Sequence, residues 1–138
     1  MNEEDKVQEI KRIFREAMVL RDAGRLGEAV EKLQYILSLS PERKAPILGP
    51  LAHIYFLLKD HENARSHYVE ALSLSPRSEL GSLGLFHTLW DMGKYREAVE
   101  EARRFLSIRD SKEYFLMIEE MQDAFAAAGV DLTEPRES

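Results

Sequence analysis

Apolar residues along this chain recur at spacings of three and four, and no segment alternates apolar with polar as a half-buried strand does, so the pattern predicts helices throughout. Ile13, Ala17 and Leu20 share one helical face, as do Leu48, Leu51, Ala52 and Tyr55, and then Leu85, Phe86 and Leu89. Each group is followed by a second such face: Ala29, Leu33, Ile36 and Leu37; Ala64, Tyr68, Ala71 and Leu72; Ala98, Ala102, Phe105 and Leu106. Six amphipathic helices therefore fall into three pairs.

The pairs are copies of one another. DAGRLGEAVEKL at 22–33 returns as DMGKYREAVEEA at 91–102, and HENARSHY at 61–68 holds the middle position. Ala29, Ala64 and Ala98 are spaced by 35 and 34 residues. Gly24 and Gly93 mark the same turn, with Lys59 in the middle copy, and Pro41 and Pro76 close the first two copies where Asp110 closes the third. A fixed period of this length indicates a stack of identical supersecondary units, each burying its neighbour's apolar face.

Through these residues the chain resembles the tetratricopeptide repeat family. The family pattern calls for a small residue midway along the first helix, a large one three further on, Gly at the turn, Ala early in the second helix and Pro at the close. Those slots hold Ala17, Leu20, Gly24, Ala29 and Pro41; Ala52, Tyr55, Lys59, Ala64 and Pro76; Phe86, Leu89, Gly93, Ala98 and Asp110. The resemblance implies an all-α fold: a right-handed α-solenoid of three helix-turn-helix repeats, at about 10–44, 45–78 and 79–110, plus a C-terminal capping helix at 111–128, about seven helices in one domain at 1–129. Asp110 is the expected cap of that last helix, with Glu113 closing a capping box and Gly129 stopping it. Residues 130–138 are expected to form a flexible tail.

Some positions depart from the pattern. Phe86 stands where a small residue is preferred, which predicts a wider helix pair, and the third copy has Ala102 and Phe105 where the others have Leu33 and Ile36 or Tyr68 and Ala71. Volume moves by one turn and is roughly conserved, which cores tolerate. Pro46 predicts a helix start, and Pro50 an irregular first turn or bend.

Composition narrows the function by exclusion. Net charge is −6, with basic residues scattered among acids, so no nucleic-acid footprint is expected. The N-terminal MNEEDKVQEI is acidic rather than apolar, and no run reaches eighteen apolar residues. The expectation is a cytoplasmic protein that engages no membrane. The absence of cysteine excludes disulfides and thiolate metal sites. His61 and His67 are six residues apart on one helix and face different ways, and no phosphate-binding loop or nucleophile motif is present. No enzyme activity, metal or cofactor is expected.

Binding is the remaining role. In the resembled family the first helices of successive repeats line a concave face, and their non-core positions here hold Met18, His53 and His87 at one level and Phe56 and Trp90 at another, flanked by Phe14, Leu57 and Leu83. Two arrangements fit these residues: anchors for a partner's apolar side chains, or rings packed between repeats or under the protein's own tail. If both histidines face the groove, partner affinity should change near pH 6.5. Family members that grip a C-terminal carboxylate carry Lys, Asn, Asn and Lys or Arg on these helices; here the slots hold Arg15, Met18, Gly49, His53, Leu80 and Gly84. An apolar peptide or helix is the better expected ligand. The alternative is a dedicated inhibitor, immunity protein or chaperone for one cognate protein such as a toxin or secretion cargo, since 82–108 looks like small stand-alone bacterial members of the family. Exposed ends of a short array also make a homo-oligomer possible.

Overall fold

The computed structural model describes residues 2–132. Eight α-helices and no strand occur among them: α1 (Glu3–Asp22), α2 (Leu26–Leu39), α3 (Ala45–Leu57), α4 (His61–Leu74), α5 (Glu79–Asp91), α6 (Tyr95–Ile108), α7 (Lys112–Glu120) and α8 (Gln122–Ala128), with a 3₁₀ turn at Pro41–Arg43. The first six form three hairpins, α1/α2, α3/α4 and α5/α6, and successive hairpins join where α2 packs on α3 and α4 on α5. The result is an α-solenoid.

The register rests on alanines. Ala29, Ala64 and Ala98 are all fully buried, as are Ala17 and Ala52, so each hairpin closes on a methyl-sized contact. Close approach of the helix axes is what a small residue at that slot permits. Two apolar clusters result: one in the first hairpin and the facing side of α3, the other running from α3 to the C-terminal helices. Tyr55 packs against both, and its hydroxyl accepts a 3.0 Å hydrogen bond from Gln34 across the first repeat boundary. At the hairpin turns Gly24 and Gly93 take φ of 80° and 76°, and Lys59 is forced into the same left-handed region at 62°.

The third hairpin resolves its unusual residues with aromatic packing. Phe86 is fully buried, stacked on Trp90 at 5.9 Å and edge-on to Tyr114 and Phe125. Phe105, one turn beyond Ala102, lies 5.5 Å from the Tyr114 ring. Both rings pack against Tyr114 of α7, and Phe86 also meets Phe125 of α8.

The two ends are finished differently. Asn2 accepts a 2.8 Å bond from the Asp5 amide, and Glu3, Glu4 and Asp5 lie at the positive end of α1. At the other end the single capping helix expected at 111–128 is two helices, with the break at Met121. Its amide is shared between the carbonyls of Met117 and Ile118, and the change of direction brings Phe125 into the core along with Tyr114 and Met117. Ser111, not Asp110, caps α7: its hydroxyl accepts from the Tyr114 amide at 3.0 Å, which moves Glu113 off the position a capping box needs.

Gly129 ends α8 at φ 70°, and the chain stays attached through Leu132. Val130 and Leu132 pack on the core, and the Arg103 Nε donates to the Leu132 carbonyl at 3.0 Å. The tail expected to be flexible from 130 is anchored to this point; residues 133–138 lie outside the described region. No helix among the described residues is long and apolar enough to cross a membrane.

Candidate protein-binding groove

The inner helices α1, α3 and α5 bound a furrow of about 820 Å³, floored by α4 and mostly apolar in its lining. This is within the range of ligand sites, about 300–1,000 Å³. It owes its depth to residues that have little or no side chain where neighbouring positions have large ones. Gly49 and Gly84 occupy the inner faces of α3 and α5, with Ala45, Pro46 and Pro50 beside them and Ala71 and Ser75 below.

Pro50 lies inside α3 without ending it. A proline there has no amide to return to the carbonyl four residues back, which is that of Pro46. Gly49 eases the usual clash between a proline ring and the preceding Cβ. The α3 wall thus keeps a helical path while lacking one rung of its ladder at Pro50.

Of the stripe predicted from the sequence, His53, Leu83 and His87 line the furrow. The other five lie elsewhere. Phe14 and Met18 are half-buried against the first hairpin's cluster. Phe56 is half-buried against the second, edge-on to His61 at 6.0 Å. Trp90 is held among Phe86, Tyr95 at 4.5 Å and Phe125 at 5.4 Å, so its indole packs the junction of the last hairpin with α8. Leu57 is 42% exposed but outside the furrow. For Trp90 the cause is plain: its large indole buries more area sideways, against Tyr95 of α6 and Phe125 of α8, than it would in the open groove.

Arg21 and Leu80, at inner-face positions of the repeat register but outside the predicted stripe, also line the furrow, and pattern reading missed Pro46 and Tyr68 as wall residues. The available signal was the glycine at 49 and at 84, since a furrow is made by absent side chains. Tyr68 matters most. Its side chain belongs to the buried face of α4, yet it reaches the floor because Gly84 lets it pass: a Cβ on Gly84 would lie 2.2 Å from Tyr68 Cζ and 2.5 Å from its hydroxyl. Burial pushes the phenol up to about 12, so it remains protonated.

Electrostatically the furrow is lined by Arg21, His53 and His87 and by no carboxylate, on a chain of net charge −6. Both imidazoles are held below the ordinary histidine value, His53 by desolvation and then the Arg21 charge, partly offset by Asp22, and His87 by desolvation, partly offset by Asp91. They are therefore neutral donors and acceptors at pH 7. His61 lies 3.7 Å from Asp91 and His67 Nδ1 is 2.7 Å from the Asn63 carbonyl, and among the described residues no group of three or more His, Cys, Asp or Glu is placed to hold a metal ion.

Three helical hairpins in 34- and 35-residue register around a concave furrow define a helical-repeat protein. Residues 45–78, the second hairpin, match the tetratricopeptide repeat family. No curated protein sequence matches the chain. Among solved structures it is similar to the Sgt2 TPR domain from Aspergillus fumigatus, with a TM-score of 0.75 and 18% identity over 94% of this chain and 87% of that one. It is equally similar to the first TPR of Spaghetti (RPAP3) bound to the HSP90 peptide SRMEEVD, with a TM-score of 0.74 and 18% identity over 86% of this chain and 94% of that one. The fold is that of tetratricopeptide repeat domains.

Proposed function

We propose that the protein is a non-catalytic interaction module whose concave furrow binds an apolar segment of a partner protein. The observation that carries this is the furrow itself: about 820 Å³ of mostly apolar surface framed by the inner helices, with His53, Leu83 and His87 on its walls. A structural neighbour binds a peptide, which supports the same use of the fold here. The ligand class we read is different, because the inner slots Arg15, Met18, Gly49, His53, Leu80 and Gly84 lack the two asparagines of carboxylate-gripping family members, so an apolar peptide or helix suits these walls better than a terminal carboxylate.

The test is affinity capture from cells with the wild-type chain and with Leu80→Glu/His87→Glu, two exposed positions on the furrow. The variant should melt as the wild type does and lose the captured partner. Retention of the same partner by both forms would overturn the proposal.

A further inference from the structure

The two ends of the solenoid present different outer faces. On α1, Arg12 and Glu16 stand 35 residues before Ile47 and Leu51, which the second hairpin buries against α2. In the first hairpin those positions carry ion pairs instead, Arg12 to Glu9 and Glu16, a polar finish that suits the outer face of a repeat array. At the other end α7 turns Tyr114 and Met117 into the core and leaves Phe115 and Leu116 52% and 44% exposed. Two large apolar side chains side by side on an end face are surface that a contact would cover.

Lys112 lies three residues before Phe115, and Glu119 three after Leu116, so all four share one face of α7. The side chains of Lys112 and Glu119 have no hydrogen-bond or ion-pair partner among the described residues, and about 10 Å of helix rise keeps them apart. The stripe is thus positive at its N-terminal end, apolar in the middle and negative at its C-terminal end. Its complement is the same stripe reversed.

We propose that the outer face of α7 pairs with that of a second copy of this chain, antiparallel and about a two-fold axis. Phe115 of each copy meets Leu116 of the other, and Lys112 meets Glu119. Both pairs are symmetric about the midpoint between residues 115 and 116, so a single axis satisfies all four side chains in an isologous contact. A parallel arrangement would oppose lysine to lysine and glutamate to glutamate. The remaining carboxylates of the helix, Glu113 and Glu120, flank the stripe, and the same axis sets Glu120 toward the positive N-terminal end of the other copy's α7. None of the four stripe residues lines the furrow, so the proposal is independent of the groove reading. A dimer carries two furrows and holds a partner with two copies of a bound segment by avidity.

A nine-residue helix buries less than the about 1,600 Å² of a standard interface, so the dissociation constant is expected on the order of 10–100 μM. Sedimentation equilibrium from about 1 μM to 1 mM should show monomer and dimer exchanging, with the dimer weakened by added salt. Phe115→Glu/Leu116→Glu should be monomeric throughout and melt as the dilute wild type does, since both side chains are exposed. Lys112→Glu and Glu119→Lys should each weaken the dimer about tenfold by placing like charges together, and Lys112→Glu/Glu119→Lys should restore it. Because the chain has no cysteine, the register can be read directly. Lys112→Cys/Glu119→Cys should form a disulfide-linked dimer with diamide, and Lys112→Cys alone should not.

A chain that stays monomeric to about 1 mM overturns the proposal and leaves the face to a different protein. A dimer untouched by Phe115→Glu/Leu116→Glu, or a charge-swapped variant no better than its single parents, also overturns it. So does ready cross-linking of Lys112→Cys alone, which reports parallel pairing. If the double glutamate variant melts early, the cysteine pair decides, and its failure to cross-link refutes the two-fold contact.

Discussion

The Ser82 hydroxyl donates to Glu101 Oε2 at 2.5 Å, joining α5 to α6 inside the core of the last hairpin. The same hydroxyl lies 2.6 Å from that of Tyr114 on α7, and Arg104 donates to both carboxylate oxygens of Glu101 at 2.8 and 2.6 Å while reaching the Pro76 carbonyl at 2.9 Å. One buried carboxylate thus ties the closing helices and the α4–α5 loop to the third hairpin. Glu101→Ala should destabilise the fold by about 2 kcal/mol, because the Ser82 hydroxyl loses its acceptor in a buried site and Arg104 loses its carboxylate partner. Urea denaturation checks this, and a change within error would mean the network is replaceable by water.

Trp90 is a structural residue at the end of the solenoid, so Trp90→Ala should lower stability by about 3 kcal/mol, through loss of its contacts with Phe86, Tyr95 and Phe125. Tryptophan fluorescence of the wild type should accordingly report global unfolding. A melting temperature unchanged by the substitution would return the indole to the groove.

Lys59 sits at φ 62° in the turn where the other two hairpins use glycine. A side chain in the left-handed region costs about 1 kcal/mol, so Lys59→Gly should stabilise the protein by somewhat less than that, after the extra freedom glycine gives the unfolded chain. Thermal denaturation measures it. A loss of stability would show that the lysine is held by more than its backbone.

The histidines give a pH dependence with a definite sign. Folding holds His53 and His87 below their unfolded value, so the unfolded chain binds protons more readily. Their contribution to stability is complete above the unfolded value of about 6.5 and is lost as pH falls through it. Charges facing them are Arg21 and Asp22 from α1 and Asp91 on α5, while the neighbouring phenol of Tyr68 stays neutral. An apolar segment covering the furrow would desolvate the rings further, so binding should also weaken between pH 7 and 5.5. His53→Gln/His87→Gln should flatten both dependences in this window, as followed by melting and by titration of a bound peptide. Tighter binding at the lower pH would indicate a partner that brings carboxylates.

Much of the architecture was legible because repetition amplifies a weak signal. One alanine in a helix says little, but Ala29, Ala64 and Ala98 in step, with turn positions at Gly24, Lys59 and Gly93, leave little room for another arrangement. Local chemistry was less legible: the cap of α7 expected at Asp110 lies at Ser111, where Ser111 and Tyr114 are both drawn into the core.

The sequence by itself determined the period, the helix pairs and the small residues on which they close, since these follow from spacing along the chain and from the size of single side chains. Which of the inner-face residues meet open space was decided only by the tertiary structure. Trp90 and Phe56 find partners on other helices and turn away, while Tyr68, placed by its own helix in the core, reaches the furrow because Gly84, on the next helix, has no Cβ to stop it. A cavity is set by what surrounding elements fail to fill, and that difference exists only once the helices are packed.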